Sequence, residues 1–302
     1  MELSISKYAL FLFEELTYKV YICKVNSLIM EKLASIIVPC YNQGNYLNDS
    51  LQSVLNQTHA SWECIIVDDG STDETKDIAS KWVEKDSRFK YVYKANEGLC
   101  AARNSGIKIA NGDYILPLDA DDKISENYLI LALLEFEKNQ NLKVVYCNAL
   151  KFGQINEKWK LPDYSLKNLA ISNMIFCSAV YKKSDWERIG GYDVAMVYGL
   201  EDWEFWISML KNGGEVKKIE EVGFFYRTKE DSMVTNLNDE LANKMYDYMS
   251  VKHADFFVKH LGSFKILIST IQKNNKNLNN TKFLINLVFK KIVGFNLFSK
   301  NK

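Results

Sequence analysis

The sequence predicts an α/β fold: a Rossmann-like, mainly parallel sheet flanked by helices. Three observations carry that reading. Short β-branched runs alternate with helical stretches from residue 35 to residue 148, the order expected of a parallel sheet covered by helices. The composition, 47% hydrophobic and 25% charged over 302 residues with 3 Pro, is that of a globular chain able to bury a sizeable core and excludes a disordered or low-complexity one. Polar groups gather where the apolar runs end, as Tyr41-Asn42, Asp68-Asp69-Gly70 and Asp119-Ala120-Asp121-Asp122, and open sheets of this kind bind ligands beyond the C-terminal ends of their strands.

Each element follows from local pattern. Residues 35–39 read as a strand, and residues 46–56 as a helix from the spacing of Leu47, Leu51, Val54 and Leu55. A buried strand is expected over 64–67 and a helix over 73–85, with Ser71 or Thr72 as its cap. Next come a strand over 89–93, a helix over 99–110, a strand over 114–118, a helix capped by Ser125 and running to about Asn139, and a strand over 144–147. Beyond Asn148 the alternation weakens. A strand is expected over 176–181, a turn at Gly190-Gly191, a helix over 202–211 closed by Gly213-Gly214, and a strand pair or one long strand over 215–226. The Asn-rich stretch 273–280 reads as a loop between two apolar, lysine-bearing segments, 264–271 and 283–298.

Lys plus Arg equals Asp plus Glu, at 38 each, and this balance argues against a nucleic-acid binder. The balance hides an asymmetry. Residues 256–302 hold nine Lys and no Arg, Asp or Glu, which leaves 29 basic against 38 acidic groups in residues 1–255, a net −9. The six Cys form no CxxC pair, which points to free thiols in a reducing, cytoplasmic setting. No apolar run reaches the ~18 residues of a membrane span. The first 33 residues read as an N-terminal extension: a genuine helix, or a start at the wrong Met, since Met30 lies just upstream of the sharper pattern.

Asp119, Asp121 and Asp122 directly follow an apolar strand. Carboxylates so close repel unless a cation or hydrogen-bond donors compensate; two of them can hold Mg²⁺ or Mn²⁺ with phosphates filling the remaining positions. The plainer reading of an isolated DxD is a solvated acidic turn. A haloacid-dehalogenase-type phosphatase needs this motif on the first strand and a hydroxyl where Lys123 stands; a dinucleotide-binding fold needs GxGxxG where this chain has Cys40-Tyr41-Asn42-Gln43-Gly44.

Six motifs occur in order: SIIVPCYN (35–42), IIVDDGSTD (65–73), NEG (96–98), ARN (102–104), LDADD (118–122) and Glu201-Asp202. Over about residues 34–232 this set resembles the family 2 glycosyltransferases, inverting enzymes with the GT-A nucleotide-diphospho-sugar transferase fold. The resemblance implies a GT-A domain over 34–240, and the lysine-rich, apolar pattern beyond it reads as a basic helical tail, 241–302. The resemblance also implies that Pro39 and Tyr41 hold the nucleotide base, that Asp69 accepts a hydrogen bond from base or ribose, and that Asn96, Gly98, Arg103 and Asn104 lie over the diphosphate and sugar. The resemblance further implies that Asp119 and Ala120 belong to the donor site, that Asp121 is the metal ligand for Mg²⁺ or Mn²⁺, and that Asp202 is the general base. Glu201, Trp203 and Trp206 are candidates for the acceptor side, although acidic residues also suit a helix N-terminus and aromatics an amphipathic core face.

The chain departs from the family pattern at one place. Relatives carry Tyr-Arg-x-His after the last strand, and here the stretch is YRTKEDS (226–232), with Lys229 where His is expected. A protonated amine cannot ligate a cation, so either water fills that position or Lys229 meets phosphate directly, and metal dependence is in question. The expected activity is inverting transfer from a nucleotide-diphospho-sugar, a UDP-sugar, to a cell-surface polysaccharide or lipid-linked glycan. The basic tail is a candidate peripheral contact with the inner face of the cell membrane, or else a helix packed on the protein. The competing readings are a sugar nucleotidyltransferase, which lacks its Gly-rich basic loop here, and a non-catalytic glycan- or membrane-binding subunit.

Overall fold

The computed structural model describes residue 29 and residues 31–230 and 238–293. The N-terminal extension up to residue 28, Asp231 and Ser232 of the YRTKEDS stretch, and the end of the tail from 294 lie outside the described residues. The chain divides into two compact units, Met1–Met249 and Ser250–Lys302.

The first unit is a mixed sheet with helices. Strand β1 (Ala34–Cys40) is buried along its whole length, as is β2 (Trp62–Asp68); continuous apolar runs of this sort belong to parallel strands covered on both faces. β1 pairs in parallel with β2 and with β4 (Tyr114–Pro117), and β2 pairs in parallel with β3 (Phe89–Tyr93). The sheet continues from β4 through the antiparallel β8 (Val180–Lys182) to β6 (Leu142–Gly153), then the parallel β9 (Glu215–Thr228) and the antiparallel β5 (Lys123–Ile124); β7 (Glu157–Trp159) pairs with β6. The long ladders are parallel and the antiparallel ones span two or three residue pairs. After β3 the chain crosses back and lays β4 on the other side of β1. That reversal makes the C-terminal ends of β1, β2 and β4 a topological switch point, where an open α/β sheet leaves a crevice.

Helix α1 (Gly44–Leu55) buries Leu47, Leu51 and Val54, the face its spacing predicts. Helix α2 (Thr75–Lys85) starts two residues late. Its first turn has no side-chain cap from Ser71 or Thr72; instead the Asp73 carboxylate accepts the amides of Gly44 (2.9 Å) and Thr75 (3.1 Å), while Ser71 Oγ accepts the Asn42 amide. The hydroxyls serve the β1–β2 junction. Helix α3 (Leu99–Ile109) lies directly on the sheet, because a Cβ at Gly106 would come within 2.7 Å of Ile37 Cγ2 and 2.8 Å of Val67 Cγ2. Helix α4 (Tyr128–Lys138) begins after Asn127 with no side-chain cap, so Ser125 does not cap it; the Ser125 amide instead donates to Gly223 O on β9.

The short α5 (Leu166–Leu169) and α6 (Lys183–Ile189) lead to α7 (Glu201–Leu210), and α8 (Asp239–Lys252) follows β9. β6 extends well past the expected 144–147, residues 176–179 lie outside any strand, and 215–228 form one strand. In the second unit, α9 (Ala254–Leu261), α10 (Phe264–Leu278) and α11 (Thr281–Val293) succeed one another. The Asn-rich stretch is helical as far as Leu278: Asn has only a weak aversion to helix, and the amphipathic pattern of 264–271 carries it through.

Candidate active site

The acidic strand end is organised by one buried guanidinium. Arg103, on the inner face of α3, is fully inaccessible to solvent. Its Nη2 donates to Asp119 Oδ1 and its Nη1 to Glu201 Oε1, both at 2.7 Å. Burial alone would lower its pKa, but the two carboxylates outweigh that and raise it, so it stays charged. The pair of contacts spans elements far apart in sequence, tying the end of β4 to the first residue of α7. Arg103 thereby positions the two acidic segments.

Asp202 follows Glu201 in the first turn of α7. The turn is entered through Gly199 (φ 112°) and Leu200 (φ 62°), a left-handed conformation that a leucine adopts only when its surroundings impose it. Asp202 is half-buried; Oδ2 accepts Asn173 Nδ2 at 2.9 Å and Oδ1 accepts the Trp203 amide at 2.7 Å. Burial, and next the Glu201 carboxylate, push its carboxyl up to about 7, against the opposing pull of Arg103 and the two donors. A carboxylate poised near neutrality is suited to general-base work.

The remaining acids are each engaged. Asp119 Oδ2 accepts the Cys177 thiol at 3.4 Å. Asp121 Oδ2 holds the Lys229 ammonium at 2.5 Å, and Lys229 also donates to Gln43 Oε1 (3.2 Å) and lies 4.7 Å from the Tyr46 ring centre. Asp122 is buried; Oδ1 accepts the Arg227 amide, and Oδ2 has no hydrogen-bond partner among the described residues. Burial, then Asp121 and Asp119, raise its carboxyl well above the usual range. Arg227 Nε donates to Asp121 O and its Nη2 pairs with Asp49, both at 2.7 Å.

The base-side residues sit at the neighbouring strand ends. Pro39 is buried within β1, while Tyr41 is 50% exposed just beyond it. Asn42, at φ 53°, accepts the Thr72 amide. Asp69 is buried, and its carboxylate receives Lys94 Nζ (2.8 Å) and the amides of Glu97 (3.1 Å) and Gly98 (2.8 Å). It thus shapes the loop bearing the exposed Asn96 and Gly98. Gly70, at φ 84°, lets Asn96 approach; a Cβ there would lie 2.9 Å from the Asn96 amide. Asn104 pins both backbone groups of Tyr192. Ala120 is buried beneath the acidic turn.

The three expected acceptor-side residues are engaged within the protein. Trp206 is wholly buried, its Nε1 donating to Ile175 O, and Trp203 Nε1 donates to Leu169 O. Both rings face the core because α7 is apolar on that side. Glu201 is spent on Arg103. Conversely, sequence reasoning missed Asn173, Cys177 and Lys94, whose contacts lie 29, 58 and 25 residues away in the chain and carry no local signal.

A divalent ion does not fit these groups as arranged. Asp119 and Asp121 are already compensated by Arg103 and Lys229, and no group of three or more His, Cys, Asp or Glu that could hold a metal occurs among the described residues. At an effective dielectric constant of about 20, an ion within 4 Å of the ammonium would meet a repulsion of roughly 8 kcal/mol, which offsets its attraction to one carboxylate at that distance.

The model of glycosyl transferase family 2 matches residues 35–197. The putative teichuronic acid biosynthesis glycosyltransferase TuaG of Bacillus subtilis (strain 168) is 30% identical over 230 residues, covering 74% of this chain and 90% of TuaG. The chain spans between 16% and 50% of the length of four other curated glycosyltransferases. Among solved structures, S. aureus TarS 1-349 in complex with UDP-GlcNAc superposes with a TM-score of 0.63 at 20% identity, covering 76% of this chain and 71% of that one. The mannosyltransferase PcManGT of Pyrobaculum calidifontis, in complex with GDP-Man and Mn²⁺, gives 0.53 at 18% identity, covering 67% and 57%. These likenesses bear out the GT-A fold, and the matched family model together with the similarity to TuaG over most of both chains makes the chain a member of glycosyl transferase family 2.

Proposed function

We propose that the protein transfers a sugar, with inversion, from a UDP-sugar to a hydroxyl of a cell-surface polysaccharide or lipid-linked glycan. The observation that carries this reading is the Asp119–Arg103–Glu201 bridge, which sets Asp202, its carboxyl at about 7, beside the acidic end of β4 at the switch point of the sheet. Tyr41 offers an exposed ring face for the base. The loop held by Asp69 offers backbone groups and Asn96 to the donor. Asp202 takes the proton of the acceptor hydroxyl as that oxygen attacks the anomeric carbon, and the nucleoside diphosphate leaves on the opposite side. The choice of UDP rests on the TarS likeness, and the choice of acceptor on TuaG.

The test is release of nucleotide from a panel of UDP-, GDP-, ADP- and dTDP-sugars by the purified protein, with the anomeric configuration of the product read by NMR. UDP release from an α-linked donor, giving a β product, is expected. Release from GDP-sugars alone removes the UDP assignment, and an α product removes inversion.

The reading extends to the tail, as a contact with an anionic membrane surface. No helix among the described residues is long and apolar enough to cross a membrane. On α10, Phe264, Leu267, Ile268, Ile271 and Leu278 recur on one face, each at least 42% exposed, and Lys265, Lys273 and Lys276 accompany them. The full chain is expected to sediment with phosphatidylglycerol vesicles and not with phosphatidylcholine ones. At about 1 kcal/mol for each Lys near the surface, replacing these three by Gln weakens binding about 10²-fold. Equal binding to both vesicle types would rule out the contact.

A further inference from the structure

We infer that Lys229 is the resident cation of the donor site: its ammonium, held on Asp121, occupies the place of a divalent ion and compensates the departing nucleoside diphosphate. The inference rests on the donor reading above and departs from a metal-dependent mechanism. Its basis is geometric. β5 leaves the acidic turn and pairs with β9 at Lys123↔Phe225 and Ile124↔Phe224. The same ladder carries the chain past Thr228 and brings Lys229 back over Asp121, 2.5 Å from Oδ2. Gln43 and Tyr46 steady the lysine from the loop and helix that follow β1. That loop also bears Tyr41, so the ammonium links the loop of the proposed base platform to the acidic turn.

The two arginines near the acidic turn are committed, and the Lys123 ammonium lies over the Phe152 ring, 4.3 Å from its centre. Arg103 is inaccessible and shared between two carboxylates. Arg227 is held by Asp49 and by the Asp121 carbonyl. The Lys229 and Arg227 side chains are equally exposed, at 14%; what sets Lys229 apart is a flexible four-carbon stem that lets its head follow an incoming phosphate. A single lysine at this position also accounts for the poor fit of a metal, since Asp121 is the carboxylate a metal would need.

In the reaction, the bond between the anomeric carbon and the diphosphate oxygen breaks and its electron pair stays on that oxygen. The acceptor oxygen forms the new bond, and its proton passes to Asp202. Lys229 transfers no proton. It offsets the charge that accumulates on the diphosphate.

The test is calorimetric binding of UDP, GDP, ADP and dTDP, each measured with EDTA and again with Mn²⁺. At least one nucleotide is expected to bind in EDTA, with an affinity that Mn²⁺ changes by less than about threefold. A hydrogen bond to a charged group predicts that Lys229→Met weakens that binding about 10- to 100-fold. Lys229→Arg, which keeps the charge, should restore most of it, and Lys229→His should make binding respond to Mn²⁺. Melting curves of all three variants establish that they fold. Binding that requires Mn²⁺ in the unaltered protein, or a Lys229→Met variant that binds as tightly as the unaltered protein, overturns the inference and leaves the donor reading intact. Failure of all four nucleotides under both conditions overturns both.

Discussion

Asp202→Asn is expected to lower sugar transfer by about 10²–10⁴-fold, the contribution typical of a positioned general base, while nucleotide binding stays within about twofold. The amide keeps the size of the side chain and can still accept the Trp203 amide, so the first turn of α7 survives. The ability to take a proton is lost, and with it the acceptor of the Asn173 Nδ2 hydrogen bond, since one of the two oxygens becomes an NH₂. The pH dependence has a definite sign. Burial and Glu201 raise the carboxyl to about 7, so transfer falls as pH drops through 7 and levels off above it. Stability moves the other way. A carboxyl with a raised folded pKa contributes most when protonated, and that contribution is lost as pH climbs from the ordinary Asp value near 4 towards 7. Asp202→Asn should therefore melt higher than the unaltered protein at pH 8, with little difference at pH 4. Transfer assays on a pH series and paired melting curves check both. A variant that retains full transfer, or an unaltered enzyme with a flat profile between pH 5 and 9, would remove Asp202 as the base.

The largest loss of stability is expected at Arg103. Arg103→Met fills much of the same volume but strands the carboxylates of Asp119 and Glu201 without their cation, Glu201 almost closed to water and Asp119 28% exposed. Removing one partner of a fully buried ion pair costs about 3–5 kcal/mol; because water reaches Asp119, the lower end is expected here, and each kcal/mol lowers the melting temperature by about 2–4 °C in a domain of this size. The triple variant Arg103→Met, Asp119→Asn, Glu201→Gln should recover a large share of that loss, because the uncompensated charges go with the arginine. Thermal melting of both variants decides the point. If Arg103→Met melts like the unaltered protein, the bridge contributes no stability. If the triple variant melts no higher than the single one, the loss comes from packing, not charge.

These two residues also mark how far the sequence could be read. Asp202 was recognisable from the Glu201-Asp202 motif and its place after the acidic strand. Arg103 was recognisable as part of the donor segment, but its partners were not. A strand followed by a cluster of Asp declares itself locally, because the apolar run and the polar end are neighbours in the chain. The bridge from Arg103 to residues 16 and 98 positions away depends on how α3 and α7 pack on the sheet, and no local period encodes that. The same holds for Trp203 and Trp206, since an aromatic on an amphipathic helix looks alike whether its face meets a cleft or the core. The caps were misread for a related reason. Ser71 and Ser125 sit at plausible cap positions, and the tertiary fold uses them instead to fasten β1 to β2 and the start of α4 to β9.

By itself the sequence determined the parallel half of the sheet, the family, the acidic turn, and the lysine at position 229, because periodicity, composition and ordered motifs are properties of neighbouring residues. Tertiary structure alone decided which charges are paired. It enclosed Arg103 between two carboxylates, turned Asp69 onto the loop beside it, and set Lys229 on Asp121. Pairing energies depend on distance and on exclusion of water, and both arise only when segments far apart in the chain are brought into contact.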